Sequence, residues 1–377
     1  MGEPMRFVLF VHSLVSDWNH GNAHFLRGIV RELQRRGHAV ATFEPADGWS
    51  RANLLAEAGQ GALHAFERSF PGLRPTLYDP DGLDLDAALD GADVVLVHEW
   101  NDPGLVARIG RHRLRGGRYA LLFHDTHHRS ISDRAAMAGT GLDGFDGVLA
   151  FGEAVREVYV REGWAQRAWT WHEAADVSVF HPRPLEPAEG DLVWIGNWGD
   201  DERTAELCQF LLEPARRLGL RSSAYGVRYP DEARRALARA GMGYRGWLAN
   251  ADVPAAFARH QVTVHVPRRH YVDFLPGVPT IRVFEALACG IPLICSPWHD
   301  VEGLFRPGYD FLLAADGEAM TQALRGVLSD PDLALELAAN GRESILRHHT
   351  CAHRIDQLFN ICAALGVQPA RPDAEVA

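Results

Sequence analysis

The chain has 377 residues, 47% of them hydrophobic and 23% charged, with a formal net charge of −11. That length suits two α/β domains rather than one, the composition can bury full cores, and the acidic balance argues against nucleic acid as a partner. All 38 basic residues are arginine, so a lysine Schiff base, a P-loop lysine and a kinase strand lysine are excluded, and any phosphate must be met by arginine, backbone N–H groups or helix N-termini.

In chain order, residues 6–12 (RFVLFVH) read as a buried strand. A helix over 23–36 follows, with Phe25, Leu26, Ile29, Val30 and Leu33 on one stripe, and Gly37 stops it. Further strands are expected at 39–43, 93–99, 119–124 and 147–151, while 46–90 reads as helix and irregular connection. Short apolar strands alternating with helices indicate a doubly wound parallel sheet. The Pro/Glu-rich stretch 181–191 reads as a linker. The pattern then restarts, with strands at 191–196, 221–226, 261–266 and 292–296 and helices at 201–218, 231–240, 333–346 and 351–366. The tail after Gly366 is Pro/Ala/Asp-rich and expected to fray. Five cysteines without a CxxC pair read as reduced thiols of a cytoplasmic protein. No transmembrane segment is expected, because no apolar run approaches the ~20 residues of a span.

The segment carrying most chemistry is 279–296 (PTIRVFEALACGIPLICS). Thr280 is placed to cap a helix that Gly290 ends, before Pro292 leads into a strand. Arg282 and Glu285, three apart, share a face. At the crevice end of a sheet such a glutamate can hold ribose hydroxyls while the helix N-terminus favours phosphate; a solvated Arg–Glu pair is the alternative. Gly196 and Asn197 follow a strand end, where backbone N–H groups can approach phosphate, or simply make a tight turn. Gly246 and Trp247 can flank a base, with Trp247 otherwise a core aromatic. His20, with Gly21 and Asn22, sits between the first strand and helix, and Asp125 and His127 follow another strand end in HDTHHR (124–129). These three are the candidates for acceptor contact or base catalysis, with a structural capping role as the alternative for His20; the histidine run matches no standard zinc spacing, so no metal site is assigned. Two DxD-like strings, Asp79–Asp81 and Asp84–Asp86, end no apolar strand and read as turns. Arg108, Arg111, Arg113, Arg115 and Arg118 read as a solvated helix face, with an anionic acceptor or membrane surface as the alternative.

The segment RVFEALACG resembles the donor-site helix of group 1 glycosyltransferases of the GT-B fold, and is most similar to the CgeB-like subgroup, first named for spore maturation. SDWNHGNAHFLRGIVRELQRRGHAV (16–40), IGNWGDDERTAEL (195–207), YRGWL (244–248) and RHHTCAHR (347–354) resemble further family segments in the same order. The resemblance spans about residues 6–365. It implies two Rossmann-like domains facing a cleft: an acceptor domain (1–182), a donor domain (188–350), a crossing helix (351–366) that returns to the N-terminal domain, and a tail (367–377). It implies transfer of a sugar from a nucleoside-diphosphate sugar to an acceptor (glycan, small molecule or protein), with retention of configuration, without a metal and without a resident cofactor. Glu285 matches the second glutamate of the family's E-x7-E pattern; the first falls on Gly277. The family's diphosphate lysine is absent here, leaving Arg203, Arg268, Arg269 and Arg282 as replacements. A Rossmann oxidoreductase is disfavoured because no GxGxxG follows the first strand. A non-catalytic sugar-nucleotide-binding or assembly protein and an epimerase of the same fold remain alternatives.

Overall fold

The computed structural model describes residues 4–184 and 189–367. The centre of the Pro-rich stretch (185–188) and nearly all of the tail (368–377) lie outside the described residues. The chain divides into two compact units, one made of 1–172 and 351–377, the other of 173–350. The division falls upstream of the Pro-rich stretch because residues 173–180 pack into the second unit. Ala175 bridges to Thr350, and Asp176 and Phe180 are buried.

Unit 1 is built on seven parallel strands: β1 (Arg6–Phe10), β2 (Ala39–Pro45), β3 (Thr76–Tyr78), β4 (Val94–His98), β5 (Ala120–Asp125), β6 (Gly147–Ala150) and β7 (Ala168–Thr170). Their order is β3-β2-β1-β4-β5-β6-β7. Phe7–Phe10, Val94–Val97 and Leu121–Phe123 are buried because helices cover both faces of a parallel sheet, which explains their uninterrupted apolar runs. The order reverses between β1 and β4, so loops leaving those strands part and open a crevice at their carboxyl ends. The helix Cys351–Ala364 belongs to this unit and packs on the helix Ala23–Arg35. Phe359 meets Phe7 and His38, and Trp171 Nε1 donates to the Arg354 carbonyl at 2.8 Å.

Unit 2 carries six parallel strands: β8 (Gly190–Ile195), β9 (Ser222–Tyr225), β10 (Met242–Tyr244), β11 (His260–His265), β12 (Leu293–Cys295) and β13 (Leu312–Leu313). Their order is β10-β9-β8-β11-β12-β13, with the reversal between β8 and β11. The region expected as one helix over 201–218 is broken into a 3₁₀ turn Asp200–Glu202, a short helix Thr204–Leu207, a π turn Cys208–Leu212 and a helix Glu213–Leu218. Pro214 has no N–H to continue the ladder, and the π turn widens the helix immediately before it. The DxD-like strings make local bonds. Asp79 accepts from the Asp81 N–H, and Asp84 caps the helix Leu85–Leu89.

Candidate functional site

In unit 2 the predicted donor residues gather at the β8/β11 reversal. β8 ends at Ile195, and Gly196 N–H still donates to Tyr225 O at 2.9 Å. The Gly196 carbonyl accepts from Tyr229 Oη (2.7 Å) and Trp194 Nε1 (3.2 Å), which pins the turn. Gly226 (φ +151) lies so close that a Cβ there would overlap the Gly196 carbonyl oxygen. The Gly226 N–H reaches the Gly246 carbonyl (2.8 Å), and Gly246 itself has φ +77. Asn197 Oδ1 faces the Val227 N–H, and Trp247 is half-buried, not a core residue.

Arg203 is turned inward. It donates to the carbonyls of Asn197 (2.6 Å), Val266 (3.1 Å) and Trp198 (3.3 Å), and its guanidinium lies 5.2 Å from the Trp194 ring centroid. Burial pushes its pKa down to about 10. The side chain thus ties the ends of β8 and β11 together. Arg268 pairs with Glu202 at 2.6 Å, and half-exposed Arg269 with Glu206 at 3.0 Å.

The helix Ile281–Cys289 starts next to the end of β11, through Thr280 and His265, and ends on Gly290 (φ +67). Thr280 occupies the N-cap position, but its hydroxyl meets His265 Nε2 at 3.0 Å instead of a helix N–H. The carboxylate of Glu173 takes that part, accepting from the Ile281 N–H. Burial, and then the charge of Glu285, push Glu173 well above the usual carboxylate range. Glu285 is fully buried and ion-paired with Arg282. The solvated Arg–Glu pair of the sequence reading is therefore an inward pair whose arginine is 16% exposed. His265, at the end of β11, is lowered to about 3, chiefly by burial and then by the charges of Arg203 and Arg282. It marks the point where those two arginines converge. Gly277 has φ +84, and its N–H is spent on the His299 carbonyl (2.7 Å). A Cβ there would stand 2.9 Å from Val301 Cγ2 and 3.0 Å from Glu302 Cγ, so this backbone excludes a glutamate at that position.

In unit 1 the loop leaving β1 is held from two sides. Buried Glu44 accepts from the Leu14 and Val15 N–H groups and the Ser13 hydroxyl, while Arg27 donates to the Leu14 and Val15 carbonyls and to Asp17. The loop thereby sets His12 and His20 against the strand ends, where His98 and His124 stand. Asp125 is buried, accepting from Tyr159 Oη (2.8 Å) and the His127 N–H (3.1 Å). The His127 ring packs on Trp100 at 5.1 Å. Burial raises both Asp125 and Glu99, and the charge of Asp125 raises Glu99 further. His20 and His127 both lie within the field of His98, so the candidates of this unit do come together. Sequence reading passed over His12, His98, Glu99, His124, Glu173 and His265. The signal for most of them is a polar residue directly at the end of an apolar strand, as in VHE and FHD. Of the arginine stretch, Arg108 donates to the Pro80 and Leu83 carbonyls and Arg113 to Gly117, while Arg111, Arg115 and Arg118 are exposed.

Among the described residues no group of three or more His, Cys, Asp or Glu is placed to hold a metal ion, and no helix is long and apolar enough to cross a membrane.

Residues 203–360 match the family model described as glycosyl transferase-like. No curated protein matches the chain by sequence. Solved structures match it over nearly its whole length. A sucrose-phosphate synthase from Thermosynechococcus elongatus is 17% identical with a TM-score of 0.64, covering 96% of this chain and all of that one. An α-glucosyltransferase in complex with UDP and DNA is 13% identical with a TM-score of 0.69, covering 96% and 100%. HepE of Anabaena in complex with UDP and glucose is 13% identical with a TM-score of 0.66, at the same coverage. The chain has the GT-B fold: two Rossmann-like parallel-sheet units, with the final helix returned to the first.

Proposed function

We propose that the chain is a glycosyltransferase that takes a sugar from a nucleoside-diphosphate donor held at the β8/β11 reversal of unit 2 and transfers it to a hydroxyl acceptor met by unit 1. The observation that carries this is that the glycosyl transferase-like match, residues 203–360, takes in the β11 side of that reversal together with Arg203, Gly246, Trp247, Arg268, Arg282 and Glu285, while β8 and the Gly196–Asn197 turn precede it. In this reading Glu285 holds ribose, aligned by Arg282. The pinned Gly196–Asn197 turn offers backbone N–H groups to the diphosphate. Arg203 serves by shaping that turn, and Arg268, paired with Glu202, is the arginine proposed to bring positive charge to the diphosphate. Gly246 and Trp247 flank the base. His20 and His127 meet the acceptor, and Asp125 orients His127 through its backbone. Charge on the leaving diphosphate is met by these donors without a metal or resident cofactor. Retention of configuration and membership of the CgeB-like subgroup belong to the same proposal, as does a cytoplasmic location, consistent with five free cysteines. The DNA in the α-glucosyltransferase complex is a feature of that protein. With a net charge of −11, nucleic acid is not proposed as the acceptor here.

A second reading, a sugar-nucleotide-binding protein without turnover, is favoured by one observation: Gly277 stands where the family's first glutamate would contact the sugar. The test is a thermal-shift titration with UDP and UDP-glucose, followed by chromatography for UDP release with and without EDTA. A bound ligand raises the melting temperature by mass action. Release that survives EDTA supports the transferase. Binding without release selects the second reading, release lost in EDTA and restored by magnesium removes metal independence, and absence of both binding and release removes the donor site.

A further inference from the structure

The chain passes from unit 1 to unit 2 between His172 and Glu173, and it is held on both sides of that point. The His172 carbonyl accepts from Arg354 Nε at 2.9 Å, and the Ala175 N–H donates to the His349 carbonyl at 2.9 Å. Between these two anchors the Glu173 side chain is buried, 5% exposed. Its carboxylate accepts from the N–H of Ile281, the first residue of the helix that carries Glu285.

Capping alone does not explain an acid at this place. Thr280 already stands at the N-cap position, and its carbonyl opens the helix by accepting from the Val283 N–H at 3.0 Å. A threonine hydroxyl caps a helix without bringing in a charge. Here that hydroxyl is spent on His265 Nε2, and a buried acid takes its place. Burial opposes the ionised form of that acid, and the charge of Glu285 opposes it further. The arrangement is therefore costlier than the cap it replaces.

Helix geometry shows why the two carboxyl groups meet. Helical side chains lean toward the N-terminus, so residue i+4 lies over residue i. Glu285 leans back over Ile281, whose N–H Glu173 holds, and its charge reaches Glu173 there. Arg282 pairs with Glu285 from the same helix. The Glu285 carboxylate is thus bordered by Arg282 and by the Glu173 carboxyl group, one from its own helix and one from the junction of the units.

We infer that Glu173 is a positioning residue for the donor: by holding the first turn of the helix Ile281–Cys289 it sets where the Glu285 carboxylate meets the ribose hydroxyls. This rests on the glycosyltransferase reading, in which Glu285 holds ribose. The full chain is titrated calorimetrically with UDP, GDP and ADP, and the nucleotide that binds best is compared with its 2′,3′-dideoxy analogue, which has no ribose hydroxyl to offer. Glu173→Met removes the accepting oxygen and weakens the nucleotide about tenfold, the scale of one hydrogen bond to a charged group, while the affinity of the dideoxy analogue stays unchanged. Glu173→Gln, isosteric with the protonated acid, keeps an accepting oxygen and brings the affinity back to within about threefold of wild type. On a Glu285→Gln background, Glu173→Met has no further effect. If Glu173→Met does not fold, Glu173→Asp, which draws the oxygen back by one methylene, is read in the same way. Unchanged nucleotide affinity, an equal fall for the nucleotide and its dideoxy analogue, or a further fall on the Glu285→Gln background overturns the positioning role and leaves the donor reading standing. A wild-type chain that binds none of the three nucleotides removes the donor reading and the positioning role with it.

Discussion

Arg203→Met tests whether this arginine is a clamp or a phosphate ligand. Methionine keeps the packing against Trp194 and removes the fork that reaches three carbonyls. The two shorter bonds, at 2.6 and 3.1 Å, are worth about 3–6 kcal/mol together at the scale for charged donors, and the 3.3 Å contact adds little. Against this, the buried guanidinium bears a desolvation penalty. A pKa lowered to about 10 from 12.5 corresponds to about 3 kcal/mol, which methionine recovers. The net expectation is a loss of about 2 kcal/mol, near 1 M urea in unfolding midpoint at a typical slope. Arg203→Lys keeps the charge but cannot span three carbonyls, so it loses similar stability. UDP affinity falls in both variants together, because the Gly196–Asn197 turn loosens in both. Urea melts by circular dichroism and calorimetric UDP titrations read the two quantities. Wild-type midpoints in both variants, with UDP binding lost in Met and kept in Lys, would refute the clamp and make Arg203 a charge ligand.

Glu285→Gln removes a buried charge from Arg282; unfolding free energy falls by about 1–2 kcal/mol, and UDP affinity drops tenfold or more if the carboxylate holds ribose. The same stability loss in urea with unchanged calorimetric affinity would assign the pair to scaffolding alone. Gly277→Ala places a Cβ on a left-handed backbone against Val301 and Glu302, and a thermal melt should register about 1–2 kcal/mol of lost stability; a variant as stable as wild type contradicts that geometry. His124 is held neutral to about 3, so the unfolded chain binds its proton first, and this term is intact above pH 6.5 and is lost as pH falls toward 3. At pH 5 it amounts to about 2 kcal/mol, so His124→Phe should lose about that much less stability than wild type between pH 7 and 5; identical pH slopes in urea melts would show that His124 protonates in place.

Strands buried on both faces were legible because their apolar runs are uninterrupted, as in 94–97 and 121–123. Short edge strands such as β7, β10 and β13, of two or three residues, leave too little pattern to read. The helix Ile281–Cys289 was legible down to its terminating Gly290. Its cap was not, because Glu173 arrives from more than a hundred positions earlier and frees Thr280 for His265. The same limit applies to side-chain direction. Spacing puts Arg282 and Glu285 on one face, but only tertiary packing decides that the face turns inward. Asp125 and His127 are singled out by their place at a strand end, whereas the grouping of His12, His20, His98 and His124 joins the ends of β1, β4 and β5 and has no local signature.

Unit 1 is discontinuous in sequence, and this bears on how the protein is made. Residues up to 172 leave the ribosome while the helix Cys351–Ala364 that completes their unit is still unsynthesised. Until it arrives, the outer face of the helix Ala23–Arg35 and the Phe7–His38 edge remain uncovered, whereas residues 173–350 already hold a whole sheet and its helices. Vectorial synthesis therefore favours the later unit finishing first, and a nascent chain arrested before 351 would show protease resistance in the second unit and not in the first.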